Sequence, residues 1–329
     1  MKKIKTIGII GTGLIGSGWA ARAIHYGVNV IGFDKNTSQE SSFKESVNRA
    51  LPYLKKLTSD LKMPKKGKLC FTTNLNELIN LSDIYQENVP ENLKLKSRIL
   101  SEIDLNSDPK KIICSSTSGF MPSKLQKNFK NPERFLVAHP FNPVYLCPLV
   151  EIVPGKKTSN HFKKLAKNFY ENIGMHVLLV RKEIPGHISD RLQESMWREV
   201  LYLLKDNVAN TKEIDESITH GPGLRWSIMG INQLWFLAGG KGGTKHFINQ
   251  FGPALKWPWS HMKAPNLNKK IVERFSRGTK KQTNGKSINE IEKIRDDCLV
   301  AILKVLKKHN FASGNTLNIF EKNLKKINK

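Results

Sequence analysis

Apolar residues follow two rhythms along this chain. In the first half, short β-branched runs alternate with stretches whose apolar positions recur every three or four residues. The runs predict strands over 4–10, 28–33, 69–72, 84–87, 111–115, 135–138, 149–153 and 176–181. Helical spacing fills many of the gaps, as over 38–57 and 159–173. Such alternation predicts a doubly wound, mainly parallel sheet. Pro185-Gly186 then breaks the pattern and the strand signal ends. Leu192, Met196, Val200 and Leu204 form one helical stripe, and Ile291, Ile294, Cys298 and Ile302 another. The fold class expected is α/β, with a sheet domain over 1–184 followed by an all-α C-terminal domain over 185–329.

The junction between the first strand and the first helix adds chemistry. The strand runs straight into Gly11-Thr12-Gly13-Leu14-Ile15-Gly16, and Trp19, Ala20, Ala23 and Ile24 continue at helical spacing. Gly11 makes the tight turn, Gly13 admits a pyrophosphate to the backbone, and Gly16 lets helix and strand pack closely. The helix N-terminus faces the phosphates, with Leu14 and Ile15 in its first turn. The next predicted strand ends in Asp34, whose carboxylate can accept a hydrogen bond from a ribose 2′-hydroxyl and repels a 2′-phosphate. The first domain is therefore expected to be Rossmann-type and to bind NAD as cofactor.

A third feature is His139-Pro-Phe-Asn-Pro, which leads to Glu151. Glu151 sits among Leu149, Val150, Ile152 and Val153, a context that reads as a buried strand. A carboxylate there needs a partner, because an unpaired buried charge costs several kcal/mol. His139 is the natural candidate. The pair reads equally as a general base with its orienting carboxylate or as a structural contact beneath the sheet.

Composition sets bounds. The 329 residues suffice for two domains and a sizeable core. No stretch reads as a signal peptide, and no apolar run is long enough for a membrane span. The four cysteines show no metal-ligand spacing, so no metal is expected. Cys70, Cys114 and Cys147 are expected to be buried free thiols in a reducing cytoplasm. The net charge of +26 comes mainly from scattered lysines. The denser blocks at 62–68 and 322–329 lack interleaved aromatics, so they read as solvated surface rather than a specific nucleic-acid site.

The glycine turn, Ser116-Thr117-Ser118, His139-Pro-Phe-Asn-Pro and Pro185-Gly186-His-Ile-Ser-Asp-Arg191 together resemble the L-3-hydroxyacyl-CoA dehydrogenase superfamily. Asn142-Pro-Val-Tyr-Leu146, Gly221-Pro-Gly-Leu-Arg-Trp226 and Phe251-Gly-Pro-Ala-Leu-Lys-Trp-Pro-Trp259 are similar to its carnitine-oxidising branch. The resemblance implies NAD-dependent oxidation of a 3-hydroxy group to a ketone. It makes His139 the base, Glu151 its orienting carboxylate and Ser118 a contact of the substrate hydroxyl. It sets Glu91 and Lys96 near the nicotinamide end of the cofactor. One departure is Asp190, where the family commonly has asparagine. A further negative charge suits a cationic substrate.

Carnitine carries a carboxylate and a trimethylammonium group. The latter donates no N–H hydrogen bond and is held by aromatic faces and negative charge. Trp197, Trp226, Trp235, Trp257 and Trp259 are candidates, each with core or interface packing as the alternative. Arg225 is a candidate carboxylate clamp or a structural ion pair. Asp190, Arg225 and Trp226 form the candidate substrate set. The resemblance also implies a homodimer through the helical domain, and from the Lys-rich end the thioesterase domain that some members append is not expected. Alternatives are a short-chain 3-hydroxyacyl-CoA dehydrogenase, an L-gulonate 3-dehydrogenase, a non-catalytic NAD-binding protein of the crystallin type and a nucleic-acid binder.

Overall fold

The structure, a computed structural model, describes residues 4–227, 230–261, 268–270, 272–273, 277, 281 and 283–327. Asn328 and Lys329, the end of the last lysine block, lie outside the described residues. Eight strands form one sheet: β1 (Thr6–Ile10), β2 (Asn29–Phe33), β3 (Leu69–Thr72), β4 (Ile84–Glu87), β5 (Ile112–Ser115), β6 (Phe135–Pro140), β7 (Leu149–Pro154) and β8 (His176–Leu179). Their order is β3-β2-β1-β4-β5-β6-β7-β8. Every neighbouring pair is parallel except β6 and β7. The strand order reverses between β1 and β4, and in open α/β sheets ligands bind at the carboxyl ends of strands at such a switch point. This is the Rossmann-type arrangement expected from the sequence.

Helices cover both faces, which is why β1, β4 and β5 are buried almost throughout. On one face, Trp19 and Ile24 of the helix Leu14–His25 pack with Phe43, Val47 and Tyr170. On the other, Leu78, Ile99, Leu100 and Ile103 pack against Ile10, Tyr85 and Ile113. Each fully buried large apolar side chain here contributes about 1.5–3 kcal/mol. Cys114 is buried, but Cys70 is exposed, contrary to expectation. It lies on β3, one of the two edge strands, which has a neighbour on one side only.

The chain divides into two compact units, Met1–Asp190 with Leu299–Lys329, and Arg191–Cys298. The last helices thus group with the sheet, whereas the sequence pattern assigns everything after 185 to one domain. Phe320 and Leu324 join the core beneath Tyr26, and Val300, Leu303 and Leu317 pack with Leu57 and Leu146. The helix Ile288–Lys308 carries apolar residues on two faces, and periodicity selects the wrong one. Val300, Leu303 and Leu306 are buried, while Ile294, Cys298 and Ile302 are exposed; the side chain of Ile291 lies outside the described set.

In the unit Arg191–Cys298 the regular elements among the described residues are helical. Asn210 and Glu213 form a reciprocal capping box that starts the helix Thr211–Thr219. Trp235 stacks on Phe247, and Tyr202 stacks on His261. Trp197, Trp235, Phe236, Leu237, Trp257 and Trp259 remain exposed.

Candidate functional site

At the carboxyl end of β1, Gly11 takes φ 88°, a conformation that favours glycine. A Cβ on Gly16 would lie 2.0 Å from the Gly11 carbonyl oxygen, so only glycine allows the helix to start this close to the strand. A Cβ on Gly13 would meet nothing within 4 Å. Gly13 is also the N-cap of the helix Leu14–His25, and no side chain caps the free amides there. Leu14 is exposed and Ile15 packs against the core. Asp34, one residue beyond β2, accepts from the Asn36 amide at 3.2 Å and the Thr12 hydroxyl at 3.5 Å. An open backbone cradle at an uncapped helix start, with a carboxylate on the next strand, fits the pyrophosphate and ribose of NAD.

His139 and Glu151 are direct partners in the antiparallel pair of β6 and β7. The apolar run predicts a strand over 135–138, and the strand runs on through His139 to Pro140. Cross-strand partners project from the same face of a sheet, so the register itself brings the two side chains together. Nδ1–H of His139 donates to Oε2 of Glu151 at 3.0 Å. Glu151 also accepts from the Ile188 amide at 3.0 Å, the Ser189 amide at 3.1 Å and the Ser189 hydroxyl at 2.6 Å. Burial pushes its carboxyl up, but the hydrogen bonds from His139, Ser189 and Ile188 outweigh burial and hold it at about 2.

With Nδ1–H committed to a carboxylate, the neutral ring carries its lone pair on Nε2. The exposed Ser118 donates its hydroxyl to Nε2 at 3.1 Å, and Asp190 Oδ2 stands 3.4 Å from the same atom. The structure therefore gathers His139, Glu151, Ser118 and Asp190 into one cluster. Asp190 is spent beside the imidazole rather than standing apart from it.

A second cluster joins the ends of β4 and β5. Lys96 is 1% exposed and directs Nζ to Glu87 Oε1 at 2.9 Å, the Val89 carbonyl at 2.9 Å and Glu91 Oε2 at 3.3 Å. Ser115 donates its hydroxyl to Glu87 at 2.5 Å, and the Thr117 hydroxyl donates to Glu91 Oε1. The Thr117 amide closes a ring by donating to Ser115 Oγ at 3.2 Å. Glu91 is the member of this ion cluster with an exposed side chain. Burial pushes the Glu87 carboxyl up, against the opposing pull of Lys96.

Sequence reasoning gives no role to Glu87, Ser189 or His187, although the last two lie in the Pro185–Arg191 motif. A charged residue ending the apolar run of β4 is a signal for Glu87. Nothing in spacing marks the other two, because their partners lie 38 and 70 residues away. Arg225 is exposed and Trp226 half-buried on the short helix Pro222–Trp226 of the other unit.

Comparison with known proteins follows this geometry. The 3-hydroxyacyl-CoA dehydrogenase NAD-binding-domain family matches residues 6–184, and the 3-hydroxyacyl-CoA dehydrogenase C-terminal-domain family matches residues 186–285. The chain is 44% identical over 314 residues to an L-carnitine dehydrogenase of Pseudomonas aeruginosa, covering 94% of this chain and 98% of the relative. It is 44% identical over 306 residues to an L-carnitine dehydrogenase of Bacillus cereus, covering 93% and 94%. A solved 5-formyl-3-hydroxy-2-methylpyridine 4-carboxylic acid 5-dehydrogenase shares the fold, with a TM-score of 0.79 and 24% identity over 93% of this chain and 99% of that one.

Proposed function

The chain belongs to the 3-hydroxyacyl-CoA dehydrogenase family, and from that premise we propose that it oxidises the 3-hydroxyl group of L-carnitine to the ketone of 3-dehydrocarnitine. His139 is the general base. The observation that carries this role is the fixed tautomer: Glu151 holds Nδ1–H and leaves the Nε2 lone pair beside Ser118. Ser118 donates to the substrate oxygen and orients it. Nε2 takes the hydroxyl proton, and the imidazolium forms between Glu151 and Asp190. NAD, when bound, supplies the hydride acceptor. Gly11, Gly13, Leu14, Ile15 and Gly16 cradle its phosphates, Asp34 its ribose, and Glu91 its nicotinamide end, with Lys96 holding Glu91.

The substrate reading is supported by the near full-length likeness to L-carnitine dehydrogenases. Local charge agrees with it. With His139 neutral, Glu151 and Asp190 leave the site negative, which favours a trimethylammonium substrate over an anionic CoA thioester. On the helical unit, Arg225 is our candidate group for a carboxylate and Trp226 our candidate ring face for a quaternary ammonium. Exposed Trp235, Phe236 and Leu237 support a homodimer, since apolar clusters of this kind mark interaction surfaces. The free cysteines fit a cytoplasmic location. We also assign residues 1–184 to cofactor binding and the helical unit Arg191–Cys298 to substrate binding and dimerisation.

The deciding experiment follows NADH absorbance with L-carnitine, 3-hydroxybutyryl-CoA and L-gulonate in parallel. L-Carnitine is expected to give the highest kcat/KM. A higher value with either competitor overturns the substrate assignment. Arg225→Met is expected to raise KM for L-carnitine about 10-fold or more while KM for NAD stays put, given the strength of a bidentate carboxylate pair.

A further inference from the structure

His187 carries two costs beside the site. It is completely buried and takes φ 49°, a backbone conformation that costs a side-chain-bearing residue of order 1–3 kcal/mol. Its Nε2–H donates to the Thr117 carbonyl at 3.0 Å, so Nδ1 holds the lone pair and meets no donor of the protein. A buried unsatisfied acceptor costs about 1–3 kcal/mol. An apolar side chain would fill the space without the second cost, so the Nε2–H contact is what distinguishes histidine here.

That contact joins two strips of backbone that build the His139 cluster. On one side, Ile188 and Ser189 donate to Glu151, and Asp190 faces Nε2 of His139. On the other, Thr117 immediately precedes Ser118, whose hydroxyl meets that same Nε2. Ser118 itself is exposed, and the Thr117 carbonyl just before it is held by His187.

We propose that His187 is a positioning residue of the dehydrogenase site: by holding the Thr117 carbonyl, it sets Ser118 against Nε2 of His139. The proposal rests on the reading that His139 and Ser118 act on the substrate hydroxyl. The donor at this place has to be uncharged. The titratable groups around His187 are His139, whose ring centre is 5.3 Å away, Glu151 and Asp190. A cation here would repel the imidazolium that forms on His139. Burial pushes the proton affinity of His187 down, outweighing the carbonyl contact that raises it, and keeps the ring neutral.

The test compares His187→Asn and His187→Gln. Asparagine tolerates the left-handed backbone, but its amide is too short to reach the Thr117 carbonyl; glutamine reaches it without charge. With L-carnitine and NAD, H187N is expected to lose about 10- to 100-fold in kcat, with KM for NAD unchanged, and H187Q to recover most of the loss. Amide hydrogen exchange gives an arm that needs no substrate. The amides of Thr117, Gly119 and Phe120 are hydrogen-bonded in the wild type. They are expected to exchange faster in H187N and normally in H187Q, while β1 and β4 are unaffected. Wild-type exchange in H187N, or loss in both variants alike, overturns the proposal. If H187N does not fold, His187→Leu takes its place. Failure of the wild type to oxidise L-carnitine sinks the substrate reading alone, and the exchange arm still decides the role of His187.

Discussion

Four donors converge on the Glu151 carboxylate, Nδ1–H of His139 among them. With Nδ1–H given to Glu151, Nε2 is the nitrogen that faces Ser118 and Asp190. His139→Gln is therefore expected to lower kcat by about 10²- to 10⁴-fold while NAD binding, read by fluorescence titration, is retained. Glu151 also links the site to stability. Its carboxyl is held at about 2 against an ordinary value of 4.5. The depressed value means that its stabilisation, a few kcal/mol, is complete above 4.5 and is lost as pH falls through about 2. Urea unfolding between pH 2 and pH 6 is expected to show a flatter acid limb for Glu151→Gln than for the wild type. Equal limbs in the two proteins contradict the depressed value. A buried carboxylate in need of a partner is legible in the chain as written. Its other donors are not, because Ile188 and Ser189 arrive from 37 and 38 residues away.

At the scale of elements, the glycine turn and the hairpin-like return of β7 do different work. In the turn, two glycines serve different ends, and substitution separates them. Gly13→Ala adds a methyl group in open space where the phosphates approach, so KM for NAD is expected to rise about 10-fold or more with the melting temperature unchanged. Gly16→Ala forces its Cβ onto the Gly11 carbonyl and is expected to lower the melting temperature, by thermal denaturation without cofactor, along with NAD affinity. The same thermal loss in both variants contradicts the separation. All eight strands are legible from apolar runs; in the central ones, burial on both faces leaves little room for polar residues. Their order is not, and neither is the one antiparallel pair that sets His139 opposite Glu151. Pairing partners are chosen by packing across the whole sheet.

Over the whole molecule, charge and exposed apolar surface dominate. His25 is buried in the first helix, where its Nε2–H donates to Thr58, whose own hydroxyl is given to the Leu54 carbonyl. Burial first, then Arg22, Lys55 and Lys66, lower its pKa from 6.5 to about 4. A lowered histidine value means that the unfolded chain binds a proton the folded one refuses. Stability is thus expected to fall as pH drops from 6.5 to about 4, and His25→Gln should flatten that slope in calorimetric scans. The helical unit adds a second test. Phe236→Glu, in the exposed aromatic run, is expected to halve the mass seen by light scattering if that run is the dimer face. An unchanged mass excludes that face.

By itself the sequence determined the strand–turn–helix cradle, the alternation that makes a doubly wound sheet, and a buried Glu151 in need of a partner. These follow from local sterics, from period, and from the cost of an unpaired buried charge, all of which are readable in short windows. The tertiary structure alone decided which face of the helix Ile288–Lys308 is covered, that the last helices pack with the sheet, that Lys96 turns inward to Glu87 and Glu91, and that His187 reaches the Thr117 carbonyl. Each depends on residues far apart in the chain sharing one small volume, and no local pattern encodes which of them will meet.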